Sequence, residues 1–196
     1  MAETRTLLLL QLAGSDAPSA AHGAAHTGLV VDLLPPHGGV EIDRADGFLL
    51  MFPSPASGVA YALAHQAALR KIAPEMRARI GVHTGPVTLR ENAPEDVARG
   101  AKPVEVEGLT KPTTARIMSV AGGGQVLLSD ATRAGLGDPP EDTRVVRHGF
   151  FHLKGRSEPI PLFEVGNPDI APLSPPEDAR KVYRVTETPD GWVPSR

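Results

Sequence analysis

Thr6 to Ala13 is an apolar run interrupted only by Gln11, the pattern of a central strand covered on both faces. Gly14-Ser15-Asp16 ends it, and Ser15 or Asp16 can cap a following helix, expected within 18–34 and rich in Ala and His. After Pro35-Pro36-His37-Gly38-Gly39, the stretch from Glu41 to Phe52 reads as two short strands joined at an Asp46-Gly47 turn, a strong short-range hairpin signal. From Ser54 to Ala73, apolar positions at Val59, Ala60, Leu63, Ala67 and Ile72 approach a helical period behind a Ser54-Pro55 start. Arg77 to Leu89 reads as strand with a bend at Gly85-Pro86, and 90–108 as a polar, exposed loop. Leu109 to Ala121 is expected as a helix with Pro112 in its first turn, where a missing N–H costs little. Gln125 to Asp130 should be a strand, Ala131 to Leu136 a short helix, and Val145 to Lys154 with Ile160 to Val165 a closing strand pair. Strands and helices intermix without strict βαβ regularity, which predicts an α+β fold with helices packed on a sheet.

Composition narrows the class without naming a chemistry. A chain of 196 residues can bury one sizeable core and carry an appendage. With 22% charged residues and a net charge of −3, nothing draws it toward nucleic acid or an anionic membrane. The absence of cysteine excludes disulfides and thiol catalysis. No stretch reaches the roughly 20 apolar residues of a membrane-spanning helix, so a cytoplasmic module is the expectation. Six of the 20 prolines lie between Pro168 and Pro194. The division expected is therefore a domain over 1–166 and a Pro-rich C-terminal extension or linker over 167–196.

Several segments form an ordered set: the Asp46-Gly47 hairpin, Arg79-Ile80-Gly81-Val82-His83-Thr84-Gly85, Thr114-Ala115-Arg116, Gly122-Gly123-Gly124-Gln125-Val126, Phe151-His152-Leu153-Lys154-Gly155 and Pro161-Leu162-Phe163-Glu164-Val165. In this order and spacing, over about residues 4 to 166, the chain resembles the class III adenylate/guanylate cyclase catalytic domain. The segment from Glu91 to Gly108 is similar to a divergent bacterial subgroup, in which such a module adjoins protein kinase or other signalling regions. The resemblance implies a ferredoxin-like βαββαβ fold with an antiparallel central sheet. It also implies conversion of ATP or GTP to the 3′,5′-cyclic nucleotide by in-line attack, with Mg²⁺ or Mn²⁺ held by two Asp carboxylates. Sites of this family form across a head-to-tail dimer, so a homodimer is expected.

Residue by residue, the match is incomplete. The first metal carboxylate falls on Gln11, a neutral amide, just before Gly14-Ser15 at the nucleotide; the second is present as Asp46. The base-reading position falls on Ile42, which offers no hydrogen bond, and its partner on Glu105. The ribose-orienting Asn is replaced by Pro112, while Arg116 matches the transition-state Arg and Lys154 the Lys on the terminal phosphates. Both halves of the shared site are affected, which implies weak or absent turnover in a signalling module. The alternatives are an active metal-dependent cyclase in which Asp43 or Asp16 compensates, and a dimerisation module that binds no nucleotide. Strict strand alternation would turn Asp43 away from the face of Asp46. Other readings remain structural: His83 as a packed strand histidine, Arg116 as a surface ion pair, and His22 with His26 as an i, i+4 pair of a helix.

Overall fold

The computed structural model describes residues 2–14, 20–45 and 47–195, with backbone alone at 20–22. The opening run forms β1 (Ala2–Ala13), followed by α1 (Ala20–Asp32), β2 (Val40–Asp43), β3 (Phe48–Phe52), α2 (Pro55–Ile72) and β4 (Arg77–Glu91). Then come α3 (Pro94–Ala98), β5 (Val104–Glu107), α4 (Thr110–Val120), β6 (Val126–Ser129), α5 (Asp130–Leu136), β7 (Arg144–Leu153) and β8 (Ile160–Gly166). The extension adds β9 (Val182–Thr188) and β10 (Gly191–Pro194).

All ten strands share one sheet, in the order β10-β9-β7-β8-β6-β4-β1-β3-β2, with β5 on the far end of β4. Among the described residues, only β4 and β6 run parallel. The β4-β1-β3-β2 part, with its helices, is the ferredoxin-like arrangement, in a mixed α+β fold. Because neighbouring side chains on a strand point to opposite faces, the apolar run of β1 feeds two cores. Leu8 and Leu10 join Leu50, Phe52, Tyr61 and Leu69 beneath α1 and α2. Leu7 and Leu9 join Ile42, Leu49, Met51 and Met118 on the face of α4.

Local chemistry sets the helices. Ser54 and Ser57 cap α2 reciprocally: the Ser57 amide donates to Ser54 Oγ at 3.2 Å and the Ser54 amide to Ser57 Oγ at 3.3 Å, with Pro55 at the first helical position. Ser129 caps α5 by accepting from the Thr132 amide at 3.2 Å. Helix α4 lies close on β4 because Gly81 has no side chain; a Cβ there would stand 2.4 Å from the Met118 nitrogen.

One expectation needs correction. The stretch over 90–108 is not loop throughout, since α3 and β5 lie within it and β5 pairs with β4 from Thr88↔Glu107 to Glu91↔Val104. Val104-Glu105-Val106-Glu107 alternates with period two, and Val106 is buried on the α4 face.

The Pro-rich extension continues onto the same sheet. Leu173 donates its amide to Glu164 Oε1 at 2.9 Å, and Gln125 Nε2 donates to Ser174 O at 2.7 Å. Further on, β9 pairs with β7, and Trp192 packs on Phe150 with ring centroids 4.7 Å apart.

Candidate functional site

The end of β1 carries Gln11, and antiparallel pairing sets Arg79 of β4 directly opposite. Leu10 and Ile80 face the α1/α2 core, so alternation turns Gln11 and Arg79 to the face of α4. There the Arg79 guanidinium clasps Gln11 Oε1 through two N–H groups, the Nε bond measuring 3.0 Å. The amide oxygen at the expected metal position therefore already faces a fixed cation. Divalent ions take carboxylates, amide carbonyls and water, but an amide oxygen bonded to a guanidinium brings no negative charge and sets a cation where the ion would sit. Among the described residues, no group of three or more His, Asp and Glu gathers that could hold a metal.

The hairpin turn comes close to the same strand end. Gly47 has φ +109°, and a Cβ on it would lie 2.5 Å from Leu10 O and 3.4 Å from the Gln11 Cβ. Asp46, Ser15 and Asp16 lie outside the described residues; Gly14 follows β1 as an exposed bend with φ +132°.

The hairpin also overturns strict alternation. Glu41 pairs with Leu50 and Asp43 with Leu49, so Ile42 is the extra residue of a bulge. Ile42 packs in the α4-side core, while Asp43 lines a small cavity of about 140 Å³ with Leu9, Leu49, Lys111 and Ala115. Asp43 is bound by Lys102 at 2.6 Å, with Lys111 at 3.7 Å. The Lys102 hydrogen bond, against the cost of burial, holds its carboxyl below the usual range. Its charge is thus already matched. A cavity of this size is well under the roughly 300 Å³ of ordinary small-molecule sites.

Glu105 stands opposite Arg90 in the β4–β5 ladder and is ion-paired with it, and Asn92 Nδ2 approaches at 3.4 Å. The Arg90 contact, then Asn92, lowers the Glu105 carboxyl from its ordinary value. Pro112 sits in the first turn of α4, as expected.

Arg116, one turn beyond Pro112, reaches the turn after β7. A Cβ on Gly155 would stand 3.6 Å from an Arg116 terminal nitrogen, so the guanidinium lies against Gly155. Lys154 is exposed, and its amide donates to Lys181 O at 2.9 Å. Neither cation has an ion-pair partner among the described residues. Arg116 thus reaches the residue that follows Lys154 in the chain; Gln11 and the hairpin turn form a second grouping.

His83 is a buried strand residue whose Nδ1 bonds Ser129 Oγ at 2.8 Å. Burial, with the Arg156 charge nearby, lowers its pKa to about 4, so the ring is neutral near pH 7. Arg79, Lys102 and Lys111 are the site residues that sequence reasoning missed. Arg79 opens a quoted segment, but only strand register sets it against Gln11. Lys102 meets Asp43 across the 90–108 excursion.

No family model matches the chain. An uncharacterized protein of Mycobacterium tuberculosis is 34% identical over 172 residues, covering 86% of this chain and 54% of that protein. The chain thus spans about half the length of the curated relatives it matches. Among solved structures, an adenylate cyclase of Trypanosoma brucei in its monomeric state superposes with a TM-score of 0.74 at 22% identity, covering 92% of this chain and 95% of that one. The guanylyl cyclase Cya2 superposes with a TM-score of 0.68 at 24% identity, covering 89% and 98%. The fold is that of the adenylate/guanylate cyclase catalytic domains, a class III cyclase-like domain.

Proposed function

We propose that this chain, a cyclase-like domain by fold, is a degenerate signalling module that converts ATP or GTP to cyclic nucleotide weakly or not at all. The observation that carries this reading is the Arg79 clasp on Gln11, at the position where the resemblance calls for a metal carboxylate. Two adjacent divalent ions require several negative oxygens, and this end of β1 offers a neutral one already used. No step through a metal follows from these residues. The ribose-positioning Asn is a proline, and losing such a group costs on the order of 10²-fold. Asp43, the acid of the same hairpin, is matched by Lys102 and Lys111, which argues against compensation.

The retained chemistry is cationic. Arg116 lies against Gly155, next in sequence to the exposed Lys154, and neither cation has a carboxylate partner among the described residues, an arrangement suited to phosphate oxygens. The module then acts by sensing a nucleoside triphosphate or by dimerising, in a bacterial signalling protein whose neighbouring region is a kinase or similar effector.

Thermal unfolding with ATP or GTP, each with and without Mn²⁺, tests the reading, because a ligand that binds only the folded state raises Tm. The expected result is a nucleotide-dependent rise that Mn²⁺ does not enlarge and that Arg116→Ala or Lys154→Ala abolishes. A rise that requires Mn²⁺ and persists in both variants would overturn it.

A further inference from the structure

On the opposite side of the sheet from α4 lies a cavity of about 400 Å³, walled by Leu63, Ala64 and Ala67 of α2 and by Ile170 where the extension turns back. Its volume falls in the range of small-molecule sites, unlike the cavity beside Asp43. The walls are mostly hydrocarbon. Gln66, a polar residue on the lining, already donates its amide to Ala78 O at 2.9 Å.

The rim is different. Glu141 and Asp142 both line it, both are exposed, and neither has an ion-pair partner among the described residues. They sit in a turn closed by the Thr143 amide on Pro140 O at 3.2 Å, with Asp142 in the left-handed region at φ +63°. Arg144 and Asp169 line the adjoining hollow and the Arg70 guanidinium of α2 reaches the Asp169 carbonyl, so the three carboxylates at this end outnumber the two guanidiniums.

We propose that this cavity is a binding site for a small amphipathic cation, an aromatic or alkyl body seated against α2 with its ammonium at Glu141 and Asp142. The mostly apolar walls select the body, because a buried polar group without a partner is penalised; Asn167, whose Oδ1 accepts from the Asp169 amide at 2.8 Å, is a polar side chain on the lining. The carboxylates select the head: they attract an amine, leave an alcohol neutral and repel a carboxylate. The site is separate from the α4 face and independent of nucleotide chemistry.

Three probes with one ring system separate these terms: 2-naphthylethylamine, 2-naphthylethanol and 2-naphthylacetate. Binding to the full chain would be followed by amide chemical shifts along α2 and over 140–143. A ligand of this size should bind with a Kd on the order of 1 mM or tighter. The amine is expected to bind about three- to tenfold more tightly than the alcohol, and the acetate most weakly, as befits exposed charge pairs. Combined Glu141→Gln and Asp142→Asn should bring the amine to the alcohol's affinity and leave the alcohol unchanged. Ala64→Trp, which fills the cavity, should abolish binding of all three while the fold's remaining amide shifts stay in place. Equal affinity for the three probes, no binding of any, or amine binding that survives Ala64→Trp would each overturn the proposal.

Discussion

Gln11 shows how one side chain alters what a site can hold. Its oxygen lies at a strand end where a carboxylate would draw a metal, and the cross-strand Arg79 occupies it instead. The departure of Gln11, Ile42 and Pro112 from the residue types the resemblance calls for is legible in the sequence alone. The Arg79 clasp was not, because it depends on strand register. Nor was the placing of Asp43, because a bulge at Ile42 breaks the alternation from which its facing was read. The buried histidines make a prediction at this scale. His65 is fully buried between α1 and α2, and burial, with His26 beside it, lowers its pKa to about 3; His83 is lowered to about 4. Both values lie below the unfolded value near 6.5, so the unfolded chain binds more protons. Their stabilisation is whole above pH 6.5 and is lost as pH falls toward 4 and then 3. In urea titrations, each histidine should remove about 1.4 kcal/mol per pH unit within its window. His65→Phe should flatten the slope; an unchanged slope would contradict it.

Among the elements, α4 matters most, because it carries Arg116 and is seated on β4 through Gly81. Gly81→Ala places a Cβ against the Met118 backbone, and helix backbone cannot yield as a side-chain tip can. The expected cost is about 1–3 kcal/mol in urea unfolding, with weaker nucleotide binding as Arg116 leaves the Gly155 turn. An unaffected variant would mean that α4 is not held at that contact. The long elements were readable from period and caps: β1 from its apolar run, α2 from Ser54-Pro55, and α4 with Pro112 in its first turn. Polarity hid β5, since its glutamates suggested loop while its valines alternate as a strand requires. Short, half-exposed strands are recognised mainly by the partner they pair with.

At the scale of the molecule, the extension and the domain share one sheet and one buried polar network. Glu164 is fully buried, and its carboxylate receives the Leu173 amide at 2.9 Å, Gln125 Nε2 at 2.8 Å and His148 Nε2 at 2.9 Å. Glu164→Ala removes the acceptor of the Leu173 amide and of His148 Nε2 and leaves Gln125 Nε2 with Ser174 O alone. It should cost about 3 kcal/mol and expose the segment beyond residue 166 to limited proteolysis. A protease-resistant variant would show that the extension's other contacts, among them the β9–β7 pairing, hold it without Glu164. Prolines had marked this segment as extension or linker, and the strands within it follow from the edge that β7 offers. Among the described residues, no helix is long and apolar enough to cross a membrane.

The proposal that a cyclase-like fold here surrounds a site unable to support the reaction is tested in catalysis itself. The direct measurement is cyclic-nucleotide formation by the purified chain from ATP and from GTP, each with Mg²⁺ and with Mn²⁺, beside Arg116→Ala and Asp46→Ala. The account predicts no product above background from any of the three proteins, or a trace that the substitutions leave unchanged. Sustained turnover that requires metal and vanishes in Asp46→Ala would contradict it, and would make Gln11 and Arg79 part of a working site.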